Sequence, residues 1–390
     1  MAENRMKADV NRSGRTAQKG SPRLKNNKGK IDYGFLAVCV TLVVIGLLMV
    51  FSASFPSAYY YQNKNGYFYI QRQTFWAIAG AIAMALTINF PYKAYKKFAK
   101  IILGVSGILL VLVLIAGKEI NGAKRWLGVG SMTIQPSETA KIALIIFFAY
   151  LMDKDGKNIG KFKPLIKYAA ILLVFMGLMM LQPHFSVCII IGLTSVVMLL
   201  AGGAKLRYFL MALIPVIPAG IALVIYEPYR LARVLTFLNP FEDTQGAGWQ
   251  VIQSLYAIGS GGLFGVGFGN SRQKYMYVPE PQNDFIFSIC CEELGLIGAG
   301  AILLLFGILI FKGMKIAINA PDTFSSVLVT GIISLVAVQV ILNIAVVTSS
   351  IPTTGIPLPF FSYGGSALLF LMASMGIVLN VSRYSKKKEL

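Results

Sequence analysis

Residues 279–311 read PEPQNDFIFSICCEELGLIGAGAILLLFGILIF, a polar loop that turns directly into an apolar run of membrane-spanning length. The acid at the junction is Asp284. A carboxylate at the mouth of a membrane helix loses part of its hydration, so such an acid is costly and is usually kept for a function. The junction therefore predicts a membrane protein and makes Asp284 the first candidate for a general base at one face of the bilayer.

Similar apolar runs continue through the rest of the chain. The sequence has 390 residues, of which 56% are hydrophobic and only 13% are charged. Runs of about 17–25 apolar residues match the thickness of a bilayer core. They predict an all-α fold, a polytopic membrane protein built as a bundle of about ten transmembrane helices. The predicted spans are residues 33–53, 74–91, 99–117, 135–152, 166–181, 184–202, 207–226, 284–311, 325–348 and 363–382.

The distribution of positive charge predicts the orientation of these spans. The formal net charge of +20 could suggest a nucleic-acid partner, but the basic residues lie in the two tails and in alternate short loops. This is the inner-leaflet bias of membrane proteins, and it argues for two cytoplasmic termini and no nucleic-acid partner. We expect a disordered basic cytoplasmic tail over residues 1–30, a transmembrane domain over 31–384 and a cytoplasmic tail over 385–390.

The long segment before span eight, residues 227–284, is extracytoplasmic in this orientation. A connection of this length is usually functional or partly helical. Residues 249–259 are apolar enough for a re-entrant or surface helix, and the glycine-rich run after them suits close backbone packing at a membrane interface.

The cysteine and histidine content predicts no metal site. The four cysteines lie in apolar runs without metal-ligand spacing, so we expect small buried hydrophobes. The only histidine is His184, which excludes a site built from several histidines. We interpret His184 as a polar residue at the level of the lipid headgroups.

Polar residues also open the fourth span. Glu138 and Lys141 are three residues apart and share a helix face, about one to two turns inside the predicted outer surface. They could neutralise each other as a structural ion pair, or line a polar cavity that orients a substrate, and both can hold together. Residues 351–366 contain three prolines and paired glycines, which suits a rigid segment lining a cavity at the same face.

Four cations precede Asp284 in the extracytoplasmic loop, namely Arg230, Arg233, Arg272 and Lys274, and the last two are nearest to it in the sequence. Arg272 and Lys274 suit a phosphate-bearing ligand, because a cation beside a carboxylate at the membrane surface can hold a phosphate. Anchoring to lipid headgroups explains the same two residues equally well.

Four blocks of the sequence form a specific pattern. They are Lys124-Arg125-Trp126-Leu127 with Gln135-Pro136-Ser137-Glu138 and Ala140-Lys141; Asn270-Ser271-Arg272-Gln273-Lys274-Tyr275; Pro279-Glu280-Pro281-Gln282-Asn283-Asp284-Phe285-Ile286-Phe287; and Gly355-Ile356-Pro357-Leu358-Pro359-Phe360 with Ser362-Tyr363-Gly364-Gly365-Ser366. Together these blocks resemble the SEDS family, the group that includes FtsW, RodA and SpoVE. The resemblance covers about residues 33–383 and leans toward the FtsW and SpoVE branch. One departure lies at Gln182-Pro183-His184, where the family commonly has Gln-Pro-Asp, so no role of an acid can be carried over to His184.

The resemblance implies a peptidoglycan glycosyltransferase that polymerises lipid II at the outer face of the bacterial cytoplasmic membrane, in cell division. Asp284 matches the family's catalytic aspartate. The implied partners are lipid II, a polyprenyl-pyrophosphate glycan, a class B penicillin-binding transpeptidase and other divisome membrane proteins. The expected substrate-binding residues are Glu138, Lys141, Arg125, Arg272, Lys274 and Ser366.

The chemistry expected of this enzyme needs one base and positive charge. Asp284 would take the proton of the attacking sugar hydroxyl. Arg272, Lys274 or a bound divalent cation, Mg²⁺ or Mn²⁺, could stabilise the leaving pyrophosphate. Two other functions fit the same sequence: a lipid II flippase, and a non-catalytic scaffold of the division complex.

Overall fold

The structure, a computed structural model, describes residues 29–120, 122–129, 132–226, 228–242 and 248–385. The predicted tails, 1–30 and 385–390, lie almost wholly outside these residues. The described part of the chain forms twelve α-helices and three short strands. They are α1 (Tyr33–Tyr61), α2 (Phe68–Asn89), α3 (Tyr92–Ala116), β1 (Lys118–Ile120), β2 (Ala123–Val129), β3 (Met132–Ile134), α4 (Pro136–Asp155), α5 (Phe162–Met180), α6 (Phe185–Ala201), α7 (Leu206–Ile225), α8 (Pro228–Leu238), α9 (Trp249–Ser260), α10 (Ile286–Ile318), α11 (Thr323–Val347) and α12 (Gly365–Ser382).

The predicted all-α membrane bundle is confirmed. Within the described ranges, six helices are long and apolar enough to cross a bilayer, namely α1, α3, α5, α10, α11 and α12. The helices α6 and α7 have 17 and 20 residues and are also apolar. The helices α2 and α4 have 22 and 20 residues and are more polar. Several helices extend beyond the predicted spans, because backbone hydrogen bonding continues past the edge of the apolar run.

The two ends of the bundle differ. At one end the backbone N–H of Gly29 donates to the carbonyl of Arg383 over 2.9 Å, so both described termini lie together. The opposite end carries an antiparallel sheet of order β1-β2-β3 between α3 and α4, and we call it the sheet end. The sequence analysis treated these residues as a loop, because strands of three to seven residues give little pattern beside the apolar spans.

Helix α10 is broken at Gly295, two residues after the adjacent acids Glu292 and Glu293. Gly295 has φ 68°, a left-handed conformation that glycine adopts at little cost, and it separates residues 286–294 from 296–318. The predicted span over 284–311 is present as α10, and the break at Gly295 was not predicted. Close backbone packing explains the glycines of the preceding loop, because a Cβ at Gly265 would lie 2.2 Å from the carbonyl oxygen of Glu293.

The glycine-rich loop, residues 259–269, forms hydrogen bonds with backbone groups around the break in α10. The N–H of Leu296 donates to the carbonyl of Gly262 over 2.9 Å, and the N–H of Val266 donates to the carbonyl of Glu292 over 2.9 Å. Irregular backbone at membrane depth is stable only where such partners exist.

The segment before α10 is structured, as its length suggested. The helix expected at residues 249–259 is present as α9. Its Ser254 hydroxyl donates to the carbonyl of Val347 over 2.9 Å, which fastens α9 to the end of the buried helix α11. This packing holds the loop that carries Asp284 against the bundle.

Candidate functional site

A cavity of about 300 Å³ at the sheet end gathers most of the polar residues that the sequence singled out. Its walls come from β2, α4, α11, α12, the turn before α6 and the two loops before α10 and α12. Hydrophobic residues such as Val187 and Leu335 complete the lining. The titratable residues in its wall are Arg125, Glu138, Lys141, His184, Asp284 and Tyr363.

Hydrogen bonds to backbone carbonyls hold the loop that carries Asp284. The side-chain amide of Asn343 in α11 donates to the carbonyl of Asp284 and to the carbonyl of Ile356, over 2.7 Å each. A Cβ on Gly355 would lie 3.0 Å from Oδ2 of Asp284, so a glycine there leaves room for the carboxylate. Asn343 thus joins the two loops that face each other across the cavity.

The environment of Asp284 makes its carboxylate a stronger base than usual. Burial is the main cause and the nearby charge of Glu280 the second, and together they raise the pKa of Asp284 to about 6. Arg233 and Arg125 partly offset this rise in pKa. A carboxyl group with a pKa near the working pH suits a general base.

Glu138 and Lys141 form a buried ion pair in the cavity wall. The ammonium of Lys141 lies 2.8 Å from Oε1 of Glu138. Both side chains are buried, and both line the cavity. The structural ion pair and the cavity wall, offered as alternatives from the sequence, are therefore both present.

Arg125 connects the sheet to the turn before α6. Its Nε donates to the carbonyl of Gln182 over 3.1 Å, and its Nη2 donates to the carbonyl of Pro183. The same side chain also lines the cavity. Strand β2 therefore places a guanidinium beside Asp284 and positions the turn that carries His184.

His184 lies in the turn before α6, and its level relative to the lipid headgroups stays a prediction. It is buried, and it lines the cavity with Asp284. Burial, with the positive charges of Arg125 and Lys141, lowers the pKa of His184 to about 3. The imidazole is therefore neutral at physiological pH and adds no charge to the site.

Lys274, a predicted substrate-binding residue, does not line the Asp284 cavity. It is 4% exposed, and its Nζ lies 2.9 Å from Oε1 of Glu293, 2.6 Å from the carbonyl of Gly269 and 3.2 Å from Oγ of Ser52. The ammonium is thus engaged inside the loop and helix packing, away from the Asp284 cavity. These contacts hold the glycine-rich loop against the broken helix, and the substrate-binding role of Lys274 stays a prediction.

Arg272 and Ser366 also lie outside the Asp284 cavity. Arg272 is exposed, and its backbone N–H donates to Oε1 of Glu292 over 2.9 Å. Ser366 accepts a hydrogen bond from the backbone N–H of Gln135 over 3.2 Å, and it lines a neighbouring cavity.

Two amides of α11 belong to the site although the sequence did not predict them. Gln339 lines the cavity, and Asn343 holds the Asp284 loop. The two are four residues apart in an apolar span, so they share a face. Uncharged polar residues in a membrane helix usually bond across to neighbouring segments, and this signal was available in the sequence.

The comparisons with known proteins agree with this architecture. The family model described as "Cell cycle protein", which groups FtsW, RodA and SpoVE, matches residues 33–387. Stage V sporulation protein E of Bacillus subtilis is 43% identical over 366 residues, covering 93% of this chain and 100% of that protein. The probable peptidoglycan glycosyltransferase FtsW of Trichlorobacter lovleyi is 41% identical over 354 residues, covering 90% and 93%.

Two solved structures have the same fold. A chain in a peptidoglycan synthase complex that coordinates polymerization and crosslinking superposes with a TM-score of 0.76 at 29% identity, covering 92% of this chain and 99% of that one. The rod shape determining protein RodA of Thermus thermophilus superposes with a TM-score of 0.69 at 26% identity, covering 92% and 98%. The chain therefore belongs to the FtsW, RodA and SpoVE family of multi-pass membrane proteins.

Proposed function

We propose that this protein is a peptidoglycan glycosyltransferase that polymerises lipid II at the outer face of the bacterial cytoplasmic membrane during cell division. One observation carries the proposal: a single cavity holds a carboxyl group with a raised pKa, Asp284, beside the cations Arg125 and Lys141. The name of the FtsW relative supports the activity.

The reaction assigns one role to each charged group. Asp284 accepts the proton of the acceptor sugar's 4-hydroxyl as its oxygen bonds to the anomeric carbon of the donor. The bond from that carbon to the pyrophosphate oxygen breaks, and the electron pair leaves with the pyrophosphate. Arg125 and Lys141 offset the charge on the leaving group. Attack opposite the leaving group converts an α donor into a β linkage, which needs a single catalytic carboxylate.

A divalent cation fits this site only together with the substrate. The described residues contain no cluster of three or more His, Cys, Asp or Glu side chains that could hold a metal ion. Mg²⁺ is often bound by one or two carboxylates, substrate phosphates and water. Such an ion would be held by one cavity carboxylate, Asp284 or Glu138, and by the pyrophosphate, and it would supply positive charge to the leaving group.

Sidedness and partner complete the proposal. The loops at the end of the bundle opposite the sheet end carry an excess of Lys and Arg. This excess supports a cytoplasmic location for those loops and for both termini. The sheet end and Asp284 then face the cell exterior. Similarity to a chain of a peptidoglycan synthase complex supports a partner that crosslinks the glycan, a class B penicillin-binding transpeptidase.

Polymerisation of lipid II by the purified protein in detergent tests the function. We expect glycan polymer from the wild type, with and without the transpeptidase, and a loss of about 10²–10⁴-fold in Asp284→Asn. Detergent removes the two membrane faces, so a flippase would make no polymer in this assay. Normal polymer from folded Asp284→Asn would show that Asp284 is not the base, and EDTA measures the need for a divalent cation.

A further inference from the structure

A second cavity, of about 560 Å³, adjoins the Asp284 cavity at the sheet end. The two cavities share a wall that includes Trp126, Gln135, Asn283 and Tyr363. We call the second one the side cavity. The mechanism above uses none of the residues that line the side cavity alone, and these include Tyr69, Gln71, Arg72, Trp76, Gln282 and Ser366.

The lining of the side cavity differs chemically from that of the Asp284 cavity. Aromatic rings and side-chain amides dominate it, and its charged residues are one cation, Arg72, and one acid, Glu280. A pyrophosphate needs several cations, which the side cavity lacks. Aromatic faces with amide donors and acceptors suit a ligand that has both apolar C–H faces and polar edges.

A buried amide points to a ligand with hydrogen-bond donors. Gln282 is 3% exposed, and its backbone carbonyl accepts from the N–H of Tyr363 over 2.8 Å. Within the described residues its side-chain Oε1 has no hydrogen-bond partner, and neither has Oδ1 of Asn283. A buried acceptor without a donor is costly, and both residues line the side cavity, so a rotation of either amide would let its oxygen accept from a ligand that brings hydroxyl or amide N–H groups.

The aromatic wall is held in place by close packing. A Cβ on Gly365 would lie 2.2 Å from the indole nitrogen of Trp76, so the ring rests directly on the α12 backbone. Tyr69 and Tyr363 meet edge to face, with ring centroids 5.0 Å apart. The side cavity therefore offers a fixed aromatic surface beside unpaired amide oxygens.

We propose that the side cavity binds the uncharged N-acetylated amino sugars of the glycan strand joined to the sugar that reacts at Asp284. The proposal rests on the glycosyltransferase function above. With the pyrophosphate beside Arg125 and Lys141, the strand must leave the anomeric carbon in another direction. The side cavity is the adjoining space, and sugar hydroxyl and acetamido groups supply the donors that Gln282 and Asn283 lack.

Binding can be tested without turnover. The chain has three tryptophans, and two of them, Trp76 and Trp126, line the side cavity, so its occupancy should change the intrinsic fluorescence. The probe is the β-1,4-linked tetramer of N-acetylglucosamine, titrated into full-length Asp284→Asn. We expect saturable binding, weaker binding of the monomer, and about threefold to tenfold weaker tetramer binding after Gln282→Leu.

Matched variants separate the site from the fold. Gln250→Leu changes a half-buried glutamine of α9 that lines neither cavity, and it should bind the tetramer normally. Trp76→Phe keeps an aromatic ring in the wall but should remove much of the fluorescence change. This variant replaces Gln282→Leu as the test of the site if Gln282→Leu folds poorly. In the polymerisation assay, Gln282→Leu should make shorter strands than the wild type.

Failure of this inference and failure of the proposed function give different results. If the wild type polymerises lipid II but the tetramer does not bind, or binds equally to Gln282→Leu, the side cavity holds no glycan. A response to inorganic pyrophosphate in place of the tetramer would also overturn the assignment. Tetramer binding that depends on Gln282, with no polymer from the wild type, would support the sugar site and reject the glycosyltransferase function.

Discussion

At the residue scale, the pKa of Asp284 predicts the pH dependence of activity. A base must be ionised to accept a proton, so kcat/KM for lipid II should fall below about pH 6 as Asp284 becomes protonated. Glu280→Gln removes a neighbouring negative charge that raises this pKa, so the acid limb should move to lower pH. Rates measured from about pH 5 to about pH 8 check both. An acid limb that stays in place in Glu280→Gln would contradict the assignment.

The same pKa predicts that Asp284 destabilises the fold at neutral pH. Its pKa rises from 3.8 to about 6 on folding, so the folded protein holds the proton more tightly than the unfolded chain. The stability contributed by the protonated form is present below about pH 4 and is lost as pH rises through about 6. Asp284→Asn should therefore have the higher Tm at neutral pH in detergent. The two Tm values should converge in acid, and a lower Tm for the variant at neutral pH would refute the argument.

Asn343 is a positioning residue, because it holds the carbonyls of Asp284 and Ile356 and not the substrate. Asn343→Leu leaves both carbonyls without this donor, at about 1–3 kcal/mol. We expect kcat to fall by about tenfold or more with KM nearly unchanged, since the base moves while the cavity stays. Steady-state kinetics on lipid II measure kcat and KM separately. An equal loss in Gln250→Leu would point to a general effect on folding.

At the element scale, the broken helix depends on a buried ion pair. Lys274 and Glu293 are almost fully buried, and they join the glycine-rich loop to residues 286–294 of α10. Lys274→Met leaves the Glu293 carboxylate buried without its cation, which should destabilise the fold by about 3–5 kcal/mol. The double variant Lys274→Met, Glu293→Gln should regain most of that stability. Denaturant unfolding in detergent measures both, and a double variant as unstable as the single one would rule out this pairing.

At the scale of the whole molecule, the proposed function depends on which face of the membrane holds the sheet end. The four native cysteines are buried, so they should react little with a thiol reagent. We expect Tyr277→Cys, an exposed position in the Asp284 loop, to react with a membrane-impermeant maleimide in intact cells. Lys157→Cys, exposed at the opposite end, should react only after permeabilisation. The reverse pattern would place Asp284 in the cytoplasm, where extracytoplasmic glycan cannot be made.

Much of this architecture follows from properties of single segments of the chain. The number and type of the membrane helices follow from the lengths of the apolar runs, since every spanning segment must satisfy its own backbone in lipid. Asp284, Glu138 and Lys141 stand out for a similar reason, because a charge in or beside an apolar run is costly wherever the run packs. These features the sequence determined by itself.

The tertiary structure alone decided which of these groups meet. Lys274 and Lys141 are both predicted substrate-binding residues. Lys274, however, is buried against Glu293, whereas Lys141 lines the cavity with Asp284. The same holds for three other features: the break at Gly295, the neutral state of His184, and the hydrogen bond from Asn343 to the carbonyl of Asp284. Each depends on contacts between segments far apart in the chain, and neither hydropathy nor periodicity encodes which distant segment a residue will touch.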